Sequence, residues 1–171
     1  MKLDDIQNKA KRTFSGPIKV LMTEEQKQKA NVQELSFDFA CRITRLYKYL
    51  NEGNLSKADR DIIGAYGLQM LRSASSINAN MNEALEPQSD SDFLSKTTIS
   101  LKEARETNNW LNLFWANGYL MQDEYDSLHK DIDRIIAILV TLKSKVTLRL
   151  KREVEEKKSR RSKTKSDDIV F

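Results

Sequence analysis

Between Met121 and Val146 the chain places a seam residue at alternating intervals of four and three: Met121, Tyr125, Leu128, Ile132, Ile135, Leu139, Leu142 and Val146. An α-helix brings residues at that spacing to one side, and the alternation suits helices that interlock at a shallow angle. Such a stripe must be covered, so the rest of the chain has to supply partner helices. It can do so, because only two prolines and five glycines interrupt 171 residues and strand signals are scarce. The expected class is all-α.

Three earlier stripes provide the partners. Val32, Leu35, Phe39, Ile43, Leu46 and Leu50 define a first helix, expected to start after Thr23, which forms a capping box with Gln26, and to end near Leu50. Residues 24 to 31 add almost nothing apolar, so its first turns are expected to project beyond the core. Ser56 and Asp59 cap a second helix with the stripe Ile63, Gly67, Met70, Ala74, Ile77, Met81 and Ala84, whose small residues allow a neighbouring backbone to come close. Pro87 stops it, Ser89 and Asp92 cap a third helix, and Leu94, Thr97, Leu101, Ala104, Asn108, Leu111 and Trp115 form its stripe up to Asn117-Gly118. The stretch from Leu71 to Leu120 is thus a helical hairpin about which the other helices pack.

The division expected is an accessory N-terminal segment over 1–22, an antiparallel four-helix bundle over 23–155, and a basic tail over 156–171. Leu3, Ile6, Ala10 and Phe14 suit a short amphipathic helix before Ser15-Gly16-Pro17. The fourth helix also carries Ile136, Val140, Leu150 and Val154 on a second flank, which is either a wide core face or a subunit contact. From Lys151 to Lys165 there are eight Lys/Arg against three Glu, and KKSRRSKTKSDD, with no apolar residue, is expected to be disordered.

Several function classes find no support. One histidine and one cysteine cannot assemble a Cys/His metal site, and His129 is preceded three residues earlier by Asp126 where a di-iron bundle needs Glu. Cys41 is expected to be a small buried hydrophobe. No phosphate-binding glycine loop occurs, and no nucleophile has a base in reach, so no enzyme, metal or cofactor is expected. No apolar run approaches the length needed to span a bilayer, and the first residues lack a secretory signal's apolar stretch; the cytoplasm is the expected location.

Two surfaces remain. Lys143, Lys145, Arg149, Lys151, Arg152, Lys157, Lys158, Arg160, Arg161, Lys163 and Lys165 concentrate positive charge at the C-terminal end, which favours nucleic acid through counterion release. Arg72, Asn80, Glu83, Glu103, Glu106 and Trp110 lie on polar flanks of the hairpin, as an oligomer or partner surface.

The segments SINANMNEAL, DFLSKTTISLKEARETNNWLNL and GYLMQDEYDSL resemble the bacterial 23S rRNA intervening-sequence proteins, the S23-type family, over about Leu35 to Val146. Arg72, Ala74, Ser76, Ile77, Asn80, Met81 and Glu83 match the close of that family's second helix. Ser89 or Ser91 before Asp92-Phe93 matches the start of its third, and Glu103, Ala104, Glu106, Thr107, Trp110 and Leu111 match its Glu-Ala-x-Glu-Thr-x-x-Trp-Leu segment. The resemblance implies an up-down-up-down bundle assembled as a ring-like homopentamer. A more distant similarity, to the accessory variability determinant of diversity-generating retroelements, implies nucleic acid and a reverse transcriptase as partners. The N-terminal 30 residues and the tail after Val146 depart from the pattern. Together these readings imply a non-enzymatic, homo-oligomeric binding or scaffold protein that contacts RNA or other nucleic acid, or alternatively a module that recruits a protein partner.

Overall fold

In the computed structural model the described residues are 22–52 and 55–167, with side chains described as far as Arg160. The amphipathic helix expected over residues 1–14 lies outside them. Five helices occur among the described residues: α1 (Glu24–Lys29), α2 (Val32–Asn51), α3 (Lys57–Glu83), α4 (Asp90–Ala116) and α5 (Gln122–Asp167). No strand is present among these residues.

The long helices pack in chain order, α2 on α3, α3 on α4 and α4 on α5, with a slighter return contact between α2 and α5. Side-chain bonds set antiparallel registers: Asn78 donates to Ser36 Oγ (3.1 Å) and Tyr125 Oη to Asn112 Oδ1 (2.8 Å), while Arg149 reaches Asp90 at the start of α4. The caps explain the boundaries. Ser56 and Ser89 each accept the amide three residues on, and Gly118 leaves α4 with φ of 76°, where a side chain would strain the backbone.

The stripes expected for α2 and α3 are buried throughout. In α4 the buried side is rotated from the expected one, and Ser100, Thr107 and Phe114 join Thr97, Leu101, Ala104 and Leu111 in the interior. Asn108 and Leu94 are only half-buried, and Trp115 is exposed. The cause is helix spacing. The Ser73 and Thr107 hydroxyls sit 2.7 Å apart, and Thr107 also donates to the Glu103 carbonyl (2.8 Å), so small polar residues line the close α3–α4 approach. Gly67 serves α2–α3 in the same way, since a Cβ there would lie 2.6 Å from Tyr47 Cδ2.

Three further expectations are corrected. The helix expected to run unbroken from Thr23 to Leu50 breaks at Ala30 and Asn31, because Asn31 and Glu34 form a second capping box. Its first turns do not project: α1 turns back and buries Lys27, 2% exposed, whose Nζ bonds both Asp131 carboxylate oxygens at 2.6 Å. Arg42, fully buried, holds the same carboxylate and Ser127 Oγ (2.7 Å), and Asp38 lies 3.8 Å from Lys27. Cys41 is half-buried.

Burial on α5 stops at Val146, yet the helix continues to Asp167 where a disordered tail was expected. Nothing between Leu120 and Asp167 breaks a helix, and Glu153 and Glu156 precede Lys157 and Arg160 by four residues, the orientation that supports an isolated helix. On the second flank Val140 and Val154 are exposed, while Ile136 and Leu150 are half-buried.

Candidate nucleic-acid interface

A helix rises about 1.5 Å per residue, so α5, with 46 residues against 27 for α4, is longer than its neighbour by nearly 30 Å. Its overhang beyond Leu150 touches no other helix closely enough to be shielded: every described side chain from Lys151 to Arg160 is exposed. Of the basic residues expected to act there, Lys143 is half-buried against the bundle and Arg149 is engaged with Asp90. Lys145, Lys151, Arg152, Lys157, Lys158 and Arg160 are exposed, and Arg161, Lys163 and Lys165 continue the helix.

Helical spacing sorts these charges into two stripes. Lys151, Lys158 and Lys165 repeat at seven residues, and Lys145, Arg149 and Arg152 at four and three on another side, joined by Glu153 and Glu156. A rod with cations on both sides can lie along a phosphate backbone without a pocket. It can neutralise charge but offers no aromatic side chain for base stacking.

The hairpin residues lie along the α3–α4 pair in separate local contacts and are not gathered into one site. Lys96 bonds Glu83, Trp110 Nε1 donates to Glu106 Oε1 (3.2 Å), and the Trp110 ring lies 5.3 Å from that of Tyr66. Glu103 is half-buried; burial raises its carboxyl above the usual range, Glu106 pushes the same way, and Arg72 opposes both. Asn80 donates within α3 to the Ser76 carbonyl (2.9 Å).

Sequence reasoning missed two clusters. The ion cluster about Asp131 joins residues up to 104 positions apart, and its only local signal was a lysine in a segment without apolar residues. The second is a ladder of rings: Trp115 stacks on Tyr125 (4.8 Å, 21°), and Tyr125 stacks on His129 (5.0 Å, 15°). The four-residue spacing of Tyr125 and His129 was visible; the partner from α4 was not. Among the described residues no group of three or more His, Cys, Asp or Glu is arranged to hold a metal ion, and no helix is long and apolar enough to cross a membrane.

Residues 28–141 match the model of the 23S rRNA-intervening sequence protein family. The chain belongs to this family. A crystal structure of an S23 ribosomal protein family member from Bacteroides thetaiotaomicron, described as having unknown function, is 38% identical, with a TM-score of 0.58. The alignment covers 66% of this chain and 98% of that one. No curated protein matches. The family segment contains the whole α3–α4 face and the ring ladder. It excludes Lys27 by one residue and all eleven basic candidates, which begin at Lys143. The basic overhang is therefore an addition to the part shared with the 23S rRNA-intervening sequence family.

Proposed function

We propose that this chain is a non-enzymatic binding or scaffold protein, an up-down-up-down four-helix bundle that forms a homopentameric ring and contacts RNA or other nucleic acid through the overhang of α5. The observation that carries this reading is the overhang itself, exposed on every described side from Lys151 to Arg160 and richer in Lys and Arg than in Glu. Five such rods on one ring would act together, so weak contacts with phosphate would add through effective concentration. The cytoplasm is where such a protein would meet RNA.

A mobility-shift titration over a salt series tests it. Replacing Lys157, Lys158, Arg160, Arg161, Lys163 and Lys165 by Gln should lower the slope of log K against log salt by about 0.7 for each single-strand phosphate that is no longer neutralised. Binding at low salt that is unchanged by the six replacements, or no binding at all, refutes the role of the overhang. A native mass of one subunit refutes the ring.

A second reading is favoured by the α3–α4 face, where Glu103 is partly desolvated beside Arg72 and Ile99 is partly exposed. On it, the face recruits a protein partner such as a nucleic-acid enzyme. Loss of a co-purifying protein on Glu103→Lys with Glu106→Lys, with RNA binding retained, would support that reading.

A further inference from the structure

The ring ladder at the α4–α5 corner takes no part in phosphate binding by the overhang. Its members are held at their edges: Trp115 Nε1 donates to Gln122 Oε1 (3.0 Å), Tyr125 Oη to Asn112 Oδ1 (2.8 Å), and His129 Nδ1 pairs with Asn108 Oδ1 (2.9 Å). The rings are thus fixed nearly parallel, and Trp115 at the end of the stack remains 41% exposed. Part of the indole surface is thus left available to a further group.

The charges nearby select the group. Asp126 and Asp133 act on Tyr125, and with burial, the larger cause, they raise its hydroxyl above the usual tyrosine range. Asp133 Oδ2 also lies 3.3 Å from His129 Nε2. Asp126 is the carboxylate at the Trp115 end, its Oδ1 accepting from the Gln122 side chain that also holds the indole, while Asp133 lies at the His129 end. Both repel a nucleotide's phosphate and attract a guanidinium, which stacks on an indole face with its charge over the ring.

We infer that the Trp115–Tyr125–His129 ladder is a docking site for an arginine-bearing segment, and that its occupant is the α5 overhang of a second copy of this chain. The overhang carries Arg152 and Arg160, both exposed, in a segment of the required charge. Its own copy cannot deliver them. Gln122, bonded to Trp115, begins the same continuous helix, so Arg152 stands about 45 Å away at 1.5 Å per residue and the overhang leads further off. The contact is therefore between chains and heterologous, one end of a molecule meeting the other end of the next, a geometry that closes into rings or extends into filaments.

The probe is a fluorescein-labelled peptide of residues 150–167, titrated by anisotropy into the full-length chain carrying the six overhang Gln replacements, so that its own overhangs compete less. Saturable binding is expected. Trp115→Ala should weaken it at least tenfold, Asp126→Asn with Asp133→Asn about threefold, and Trp115→Phe should retain most of it; a peptide with Lys at 152, 160 and 161 should bind less well. Should Trp115→Ala not fold, as judged by circular dichroism, the carboxylate pair and Trp115→Phe still decide the matter. An affinity within twofold of the parent in folded Trp115→Ala, or in the double Asn variant, overturns the proposal. So does an oligo-uridine RNA whose binding, unlike the peptide's, depends on Trp115. The salt slope of RNA binding to the overhang is read separately, so either proposal can fail alone.

Discussion

Removing the Asp131 carboxylate tests how α1 is held to the bundle. Asp131 is the anion shared by Lys27, 2% exposed, and Arg42, fully buried; without it the Lys27 ammonium is left with Asp38, 3.8 Å away. Breaking a buried ion pair by deleting one partner costs about 3–5 kcal/mol, because the remaining charge stays out of water. Asp131→Asn keeps the shape and removes the charge, so that cost applies with little packing loss. For a chain of this size 1 kcal/mol moves the melting midpoint by about 2–4 °C, so the expected drop is about 6–20 °C. Lys27→Met is the contrasting change. It leaves Asp131 paired with Arg42, keeps an apolar stem in place and takes from the buried Asp38 only its longer ion pair, at 3.8 Å, so it should cost less than Asp131→Asn. Urea denaturation followed at 222 nm gives both values, and in the double variant the Asn change should cost less than alone, since one stranded cation has gone. If Asp131→Asn costs under about 1 kcal/mol, or less than Lys27→Met, the buried charges are not what holds the segment and the reasoning fails.

Other changes separate packing from surface effects. Gly67→Ala should destabilise by about 1–2 kcal/mol, since the new Cβ would lie 2.6 Å from Tyr47 Cδ2 and the gain in helix propensity offsets only part of the overpacking. Gly64→Ala in the same helix, with nothing within 4 Å of the new atom, should instead stabilise by up to about 1 kcal/mol in the same urea titration. Glu103 binds its proton more tightly folded than unfolded, so its contribution to stability is present at low pH and lost as pH rises through the raised value. Glu103→Gln should therefore raise the unfolding midpoint at pH 7 and leave it nearly unchanged at pH 3. Ending the chain after Lys151 should leave the melting midpoint within about a degree, since the described side chains removed are all exposed, while helical ellipticity falls.

The helices were legible where one apolar stripe did the packing, as in α2, α3 and α5 from Leu128 to Val146; Met121, expected to head the α5 stripe, is exposed and precedes the helix. They were misplaced where size mattered more than polarity. On α4, Ser100 and Thr107 are buried because they are small and bonded to neighbours, while the larger and more apolar Trp115 is left outside. The break at Asn31 was hidden by the stronger apparent start at Thr23, eight residues before. Of the candidate sites, the basic residues could be counted from sequence, and the lack of a helix breaker near them was equally visible. What a single helix pattern does not carry is pairing across helices: Trp115 with Tyr125, or Lys27 with Asp131, depends on register that only packing sets.

The overhang gives α5 two separate stabilities. Up to Val146 its hydrogen bonds open only when the bundle does, whereas beyond Leu150 each turn relies on backbone propensity and on pairs such as Glu153 with Lys157. Protection from amide exchange should therefore fall off sharply along one uninterrupted helix. A polyanion that lies on the distal turns would slow their exchange and leave the bundle's unchanged, so the far end of α5 can record an encounter without the rest of the molecule having to move.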